Sequence, residues 1–192
     1  MTEAFTQFEA ADARDLLAEN PLVWVVSRRS GEASLLPLLG EYDADGCLVR
    51  LLGHMGRRNP LFADLTFNPR ATILVNGPQA YVSPEHAELR DWGPTWNYAQ
   101  LTIVADVIFE PEQTDHALAE LTKAMEGDRW TSAELGSRYT GMSGAIVAFR
   151  AHVAELKGRF KLGQDEQREV FATIVRNHPD ASLVRWMKRF AC

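Results

Sequence analysis

A cluster of cationic and amide side chains lies in the segment 54–60, which has the sequence HMGRRNP. Asn59 followed by Pro60 is typical of a helix start, because Asn caps helices well and Pro fits the first helical position. The unpaired N–H groups and the dipole of a helix start favour anions, and Arg57 and Arg58 could add bidentate contacts to a phosphate. The segment therefore predicts a phosphate site, with a surface loop carrying two solvated arginines as the alternative.

Two further segments carry side chains suited to a flat heterocyclic ring. Residues 77–84 have the sequence GPQAYVSP, in which Gln79 offers both donors and acceptors to the edge of a ring. In residues 94–98 (PTWNY), Trp96 and Tyr98 could stack on a ring system while Asn97 hydrogen-bonds it. Each segment also fits an ordinary role, as a corner between strands in the first case and as a core anchor in the second.

The late segment 157–164 (KGRFKLGQ) is rich in positive charge. If this segment is extended, Lys157, Arg159 and Lys161 share one face, because side chains alternate along a strand. Three cations on one face repel each other unless an anion or a carboxylate is near. The pattern favours contact with a ligand or a partner, and a solvated edge strand protected by its lysines is the alternative.

The elements that must position these side chains are mostly strands. Short β-rich segments at 22–27, 33–39 and 47–54 are separated by turns, which indicates an antiparallel meander. We predict further strands at 71–76, 79–83, 97–109 and 146–156, and an exposed loop over 84–96. Helices are predicted at 11–20, from Asn59-Pro60 to about 68, at 112–127, within 131–141, and over 164–189 with a break at His178-Pro179. In the helix at 112–127, periodicity places Leu118, Leu121 and Met125 near one face. The resulting fold class is α+β, a six- or seven-stranded antiparallel barrel with flanking helices.

The composition fits one globular unit with an extension. The chain has 192 residues, of which 46% are hydrophobic, so it can bury a sizeable core. We expect a barrel domain over residues 1–163 and a helical extension over 164–192 that packs on the barrel or on a dimer partner. No apolar run approaches the roughly 20 residues of a membrane span, and the N-terminus lacks a signal peptide's pattern, so we expect a cytoplasmic protein.

Cysteines, histidines and charge exclude several classes of protein. Cys47 and Cys192 are too few for a disulfide framework, and no histidines lie at metal-ligand spacing, so we expect no metal site. The net charge is −6, but residues 150–192 carry nine Lys/Arg against five Asp/Glu. An acidic chain without a helix-turn-helix pattern makes direct DNA binding doubtful.

Taken in order, these segments resemble the PaiB family of FMN-binding split-barrel proteins, which are described as negative transcriptional regulators. The resemblance rests on Gly53-His54 through Leu61, on residues 77–84, on residues 94–98 and on the segment 157–164, and it covers roughly residues 8–175. It implies a split β-barrel that forms a homodimer with FMN at the subunit interface. The cofactor-binding residues that it implies are His54, Arg57, Arg58, Asn59, Gln79, Trp96, Asn97, Tyr98, Lys161 and Gln164.

The chain departs from the family pattern in two places. The loop before residues 94–98 carries Arg90-Asp91-Trp92-Gly93, where relatives are usually more basic and less bulky. The late motif of this family typically has the sequence KLSQN, whereas this chain has Lys161-Leu162-Gly163-Gln164-Asp165. The change removes a hydroxyl donor and adds a negative charge near an anionic ligand.

Two alternative functions come from the same architecture. One is a flavin-dependent oxidoreductase that uses a reduced nicotinamide or deazaflavin donor, since split barrels commonly present the flavin in an open cleft. The other is a haem-handling protein, for which His54, His152 and His178 are the candidate axial ligands. We identify no catalytic acid or base beyond His54 and Tyr98.

Overall fold

Six antiparallel strands close into one barrel in the computed structural model, which describes residues 3–191. The order around the barrel is β1-β2-β3-β6-β5-β4. The strands are β1 (Leu22–Ser27), β2 (Ala33–Tyr42), β3 (Leu48–Gly56), β4 (Arg70–Val82), β5 (Thr95–Phe109) and β6 (Ile146–Lys161). This result confirms the predicted α+β barrel. The barrel has six strands, the lower of the two predicted numbers.

Alternation along each strand separates the core from the outer surface. On β1, Val23 and Val25 are buried in the barrel, whereas Trp24 between them faces outward and is 39% exposed. The interior is tightly filled near Gly53, where an added Cβ would lie 2.3 Å from Leu38 Cδ2. A side chain at this position would therefore displace the core.

Two of the strand predictions were wrong in detail. The two segments predicted at 71–76 and 79–83 form one strand, β4 (Arg70–Val82), because the break expected at Gly77-Pro78 is a bulge between Asn76 and Gln79. The bulge adds one residue to β4 relative to β5 and leaves Gly77 inside against Leu16, whose Cδ1 would lie 2.3 Å from an added Cβ. β6 extends to Lys161 because it pairs with β5 over its whole length.

Seven α-helices surround the barrel in the described part of the chain. They are α1 (Ala10–Glu19), α2 (Pro60–Phe67), α3 (Pro84–Ala87), α4 (Thr114–Glu126), α5 (Arg138–Ser143), α6 (Arg168–Asn177) and α7 (Ala181–Arg189). Short 3-10 helices cover Glu3–Phe5, Pro111–Gln113 and Ser132–Leu135. The segment 84–96 was predicted as a loop, but it contains α3 and the first residues of β5.

The C-terminal helices contact the barrel of their own chain. Trp186 of α7 is 1% exposed, and its ring stacks on Phe160 of β6 with a centroid distance of 5.9 Å. Its Nε1 donates a hydrogen bond to Glu19 at the end of α1, at 2.9 Å. These contacts make α7 part of the hydrophobic core.

Two sequence features need only a short description. Cys47 is exposed in the turn before β3, and Cys192 lies outside the described residues. Within residues 3–191, none of the helices has the length and the apolar character needed to cross a membrane.

Candidate functional site

The residues expected to bind a cofactor lie in two separate places. Four of them, His54, Arg57, Arg58 and Asn59, lie at the end of β3 and the start of α2. The other six lie near the end of β4, at the start of β5 and at or just beyond the end of β6. Strand β6 connects the two groups, because Ala148 pairs with His54 and Lys161 pairs with Tyr98. Thirteen residues, or roughly 40 Å of extended chain, separate these two pairs along β6. We call the two groups the β3 group and the hairpin group.

The start of α2 satisfies its own backbone, which corrects one prediction. Asn59 Oδ1 accepts hydrogen bonds from the Leu61 N–H at 3.0 Å and from the Ser34 hydroxyl at 3.1 Å. Pro60 has no N–H, and the Phe62 N–H donates to the Asn59 carbonyl oxygen at 2.9 Å. The first N–H groups of this helix are therefore not free for an anion, and Asn59 acts as the N-cap that the sequence predicts.

Anion binding in the β3 group consequently depends on Arg57 and Arg58. Both side chains are exposed, and neither forms an ion pair with a carboxylate within residues 3–191. The Arg57 N–H donates to the carbonyl oxygen of Ala145 at 2.9 Å, which fixes the Arg57 backbone next to the start of β6. Two uncompensated guanidinium groups on a fixed backbone suit a phosphate.

A groove between β3 and α4 has His54, three residues before Arg57, in its lining. It has a volume of about 530 Å³ and is lined by His54, Leu118, Leu121, Thr122, Met125, Glu126 and Trp130. Periodicity placed Leu118, Leu121 and Met125 on one face of a helix, but no sequence signal connected that face with His54. The groove walls are therefore the part of the site that sequence analysis missed.

His54 is an uncharged side chain with unused hydrogen-bonding capacity. Its Nδ1 is buried and has no hydrogen-bond partner among the described residues. Burial lowers the pKa of His54 below the ordinary histidine value, so the imidazole is neutral at pH 7. A buried polar atom without a partner is rare in folded proteins and often marks a binding site.

The hairpin group presents aromatic rings and cations on one outer surface. Trp96 is 56% exposed and packs edge-to-face on Tyr81, with a centroid distance of 6.0 Å. Arg159 Nε donates to the Tyr98 hydroxyl at 2.8 Å, and Lys161 Nζ donates to the Trp96 carbonyl oxygen at 2.9 Å. Neither cation forms an ion pair with a carboxylate in the described chain.

Three members of the hairpin group differ in the exposure and the hydrogen bonds of their side chains. Gln79 is exposed and lies opposite Tyr98 on the outer face. Asn97 is buried, and its Nδ2 donates to Met187 Sδ of α7 at 3.7 Å. Gln164 folds back on its own turn, accepting from the Leu162 N–H at 2.8 Å and donating to the Phe160 carbonyl oxygen at 2.6 Å.

The local backbone explains the departure from the family motif at Gly163. Its φ is +90°, in the left-handed region that favours glycine, and the turn that it makes holds the Gln164 side chain in place. Asp165 beside it is exposed.

The three candidate haem ligands occupy different surroundings. His152 is exposed on the outer face of β6. His178 Nδ1 accepts from the Asp180 N–H at 3.1 Å, and its Nε2 lies 3.3 Å from the Tyr81 carbonyl oxygen, so both nitrogens are used. His54 lines the groove between β3 and α4. No cluster of three or more potential metal ligands occurs within residues 3–191.

The β3 group fits the cofactor that the family resemblance implies. FMN combines a dianionic phosphate with a flat, largely apolar ring that has polar edges. Arg57 and Arg58 suit the phosphate, whereas the apolar groove and the unpartnered nitrogen of His54 suit the ring. The residues present therefore fit the group.

Comparisons with known proteins agree with this geometry. A family model described as "Putative FMN-binding domain" matches residues 1–155. The fold is similar to that of an FAD and haem binding protein from Mycobacterium smegmatis (TM-score 0.61, 19% identity, covering 88% of this chain and 79% of that chain). It is also similar to the flavocytochrome Anf3 from Azotobacter vinelandii (TM-score 0.62, 14% identity, covering 92% and 76%). A search of curated proteins finds no match.

Proposed function

This chain belongs to the family of FMN-binding domains and has a flavin as its cofactor, and we propose that FMN binds between two copies of the chain. The observation that carries the proposal is the separation of the expected ligands into the β3 group and the hairpin group. Within one chain, roughly 40 Å of β6 lie between them. A second copy of the chain can bring its hairpin group to the β3 group of the first.

In this arrangement the β3 group holds most of the cofactor. Arg57 and Arg58 bind the phosphate, and the side chains of the groove, including His54, bind the ring. The neutral His54 imidazole adds no charge to the groove, so the positive charge stays with the two arginines. When bound, FMN supplies one- or two-electron redox chemistry.

The outer surface of the barrel supports the pairing of two copies. Trp24 of β1 lies directly opposite Leu35 of β2 on the outer face, and Leu35 is 45% exposed. Tyr81 and Trp96 form a second exposed apolar pair at the hairpin of β4 and β5. Exposed pairs of large apolar side chains on a sheet are typical of protein–protein contact sites, and pairing would remove them from water.

A heterodimer experiment tests the shared site. Two differently tagged copies are co-expressed, one with Arg57→Ala/Arg58→Ala and the other with Gln79→Ala/Trp96→Ala, and the mixed dimer is isolated with both tags. We expect it to bind one FMN, because one of its two sites combines the intact β3 group of one copy with the intact hairpin group of the other. The wild-type dimer binds two, and each homodimeric variant loses most of its binding.

The matched control places all four substitutions in one copy and pairs it with a wild-type copy. A shared site then predicts no intact site, whereas a site within one chain predicts one FMN from the wild-type copy. The opposite pattern in the two heterodimers, or failure to isolate any mixed dimer, would contradict the proposal.

We further propose a redox role rather than direct reading of DNA. Three of the five cations of α6 and α7 form ion pairs within the chain: Arg176 pairs with Glu88, Arg185 with Glu19, and Arg189 with Asp12 and Asp15. DNA affinity depends on cations that contact phosphates, and these pairs reduce the number that the C-terminal helices offer. The groove at His54, in contrast, gives a small molecule access to the neighbourhood of the ring.

The redox role predicts that a reduced nicotinamide or reduced deazaflavin bleaches the visible flavin absorbance of the FMN-loaded protein. Variant Leu121→Trp narrows the groove beside the ring, so it should slow the bleaching when variants are compared at equal FMN loading, and Ile108→Trp on an exposed outer position is the control. Flavin that stays oxidised with every donor, together with tight and salt-sensitive DNA binding in a gel-shift titration, would favour the regulator instead.

A further inference from the structure

Two histidines meet where the C-terminal helices join the hairpin of β4 and β5. His86 belongs to α3, and His178 follows the last residue of α6. Their rings pack edge-to-face with a centroid distance of 4.6 Å, and His178 is buried. Neither histidine belongs to the flavin site proposed above, so the pair needs an explanation of its own.

Each ring uses Nδ1 as a hydrogen-bond acceptor. His86 Nδ1 accepts from the Ser83 N–H at 3.1 Å, which caps the start of α3. His178 Nδ1 accepts from the Asp180 N–H at 3.1 Å, at the start of α7. A nitrogen that accepts a hydrogen bond carries no proton, so each neutral ring has its proton on Nε2. His178 Nε2–H then donates to the Tyr81 carbonyl oxygen, at 3.3 Å.

Protonation of either ring would break one of these bonds. An added proton on Nδ1 would face a backbone N–H, which is also a donor, and that N–H would lose its acceptor. Two imidazolium rings at this separation would also repel each other. The hydrogen bonds of this junction therefore form only with both rings neutral.

The charged groups around the pair do little to stabilise a protonated ring. Glu85 raises the pKa of His86, but burial and the neighbouring His178 ring outweigh it, and the pKa of His86 is lowered overall. Glu88 is occupied by Asn177, at 2.9 Å, and by Arg176, at 3.6 Å. The Asp180 carboxylate accepts from the Leu183 N–H at 2.9 Å and caps α7.

We propose that His86 and His178 form a pH-dependent latch that holds α6 and α7 on the hairpin when both rings are neutral and releases them on protonation. The link to cofactor binding rests on the proposed function: Tyr81, whose carbonyl oxygen the latch holds, lies opposite Trp96 in the surface that completes the flavin site. Protonation would therefore weaken FMN binding as well as the attachment of the helices.

The sign of the pH effect follows from the direction of the shift. Because the pKa of His86 is lowered in the folded chain, the unlatched chain binds the proton more readily. The contribution of the latch is therefore complete above the ordinary histidine pKa and is lost as the pH falls below it.

Amide hydrogen exchange tests the latch without any flavin. Exchange is followed in peptides covering 168–190 at about pH 7.5 and about pH 5.5, on either side of the ordinary histidine pKa, with intrinsic rates divided out. We expect protection to fall about fivefold or more at the lower pH in the wild type, the factor that loss of one buried hydrogen bond corresponds to. His86→Asn keeps an acceptor for the Ser83 N–H and removes one of the two imidazoles, so its protection should fall by a smaller factor than that of the wild type.

His152→Asn is the matched control, since it removes an exposed histidine and should keep the wild-type pH dependence. Equal loss of protection in the wild type and in His86→Asn, or no loss in either, would overturn the latch. Nitrogen-15 chemical shifts of the wild-type imidazoles give a second measurement, and an Nδ1–H tautomer on either ring at neutral pH would also overturn it.

FMN titrations of the same proteins at the same two pH values test the link to the cofactor. We expect affinity to fall at the lower pH by a larger factor in the wild type than in His86→Asn. An identical fall in both would remove the link while leaving the latch intact. Absence of FMN binding at either pH would overturn the proposed function instead, since the exchange measurement does not depend on it.

Discussion

Replacing both Arg57 and Arg58 with alanine should weaken FMN binding about a hundredfold or more, because hydrogen bonds to charged groups contribute roughly 1.5–3 kcal/mol each. Riboflavin, which has the same ring and no phosphate, should lose less than about threefold, since its contacts with the groove remain. Titration of the purified apoprotein with each ligand, followed by flavin fluorescence, measures the two affinities.

The size of this effect follows from how α2 begins. Asn59 and Pro60 leave the helix start with no free N–H to bind the phosphate, so phosphate binding depends on the two guanidinium groups. A control with the same change in charge is Arg28→Ala/Arg90→Ala, two exposed arginines elsewhere on the surface, and it should alter both affinities little. Equal losses of FMN and riboflavin in the Arg57/Arg58 variant would place the phosphate elsewhere.

The largest loss of stability is expected from Trp186→Ala. Removing a fully buried tryptophan from a core typically costs about 3–5 kcal/mol. Here the loss includes stacking on Phe160 and Phe190 and the hydrogen bond from Nε1 to Glu19. Urea unfolding of the apoprotein gives the free energy of unfolding, and the midpoint should shift markedly to lower denaturant.

Trp96→Ala is the matched comparison for this variant. It removes the same side chain from an exposed position, so the free energy of unfolding should change by no more than about 0.5 kcal/mol. If the two variants unfolded alike, α7 would not belong to the core of the protein in solution.

The sequence predicted those parts of the molecule that depend on local chemistry. The start of α2 at Asn59-Pro60 was predicted correctly because a cap and a helical first residue are encoded in adjacent positions. β1 was predicted to the residue because a short β-rich segment lies between Pro21 and a turn containing Gly31. The bulge in β4 was missed because Gly-Pro also fits a break, and only pairing with β5 distinguishes the two.

The sequence indicated which residues to expect in the site, but not how their side chains are arranged. Motif matches brought Asn97 and Gln164 into the expected set, yet the partners of their side chains, Met187 and the local backbone, depend on how the C-terminal segment folds back. Likewise, the spacing of Leu121 and Met125 indicated a helix face without showing which strand it would cover. Long-range packing decides these features, and no local pattern encodes it.

The extra residue at the bulge also determines which side chains of β4 face the solvent. Before the bulge the odd-numbered positions, such as Val75, are buried; after it the even-numbered positions, such as Val82, are buried, and Tyr81 faces outward. Deleting one residue at 77–78 would reverse this parity and exchange the solvent-facing and core-facing sets in the rest of the strand. A change of chain length at this point would therefore alter the outer surface more than any single substitution along it.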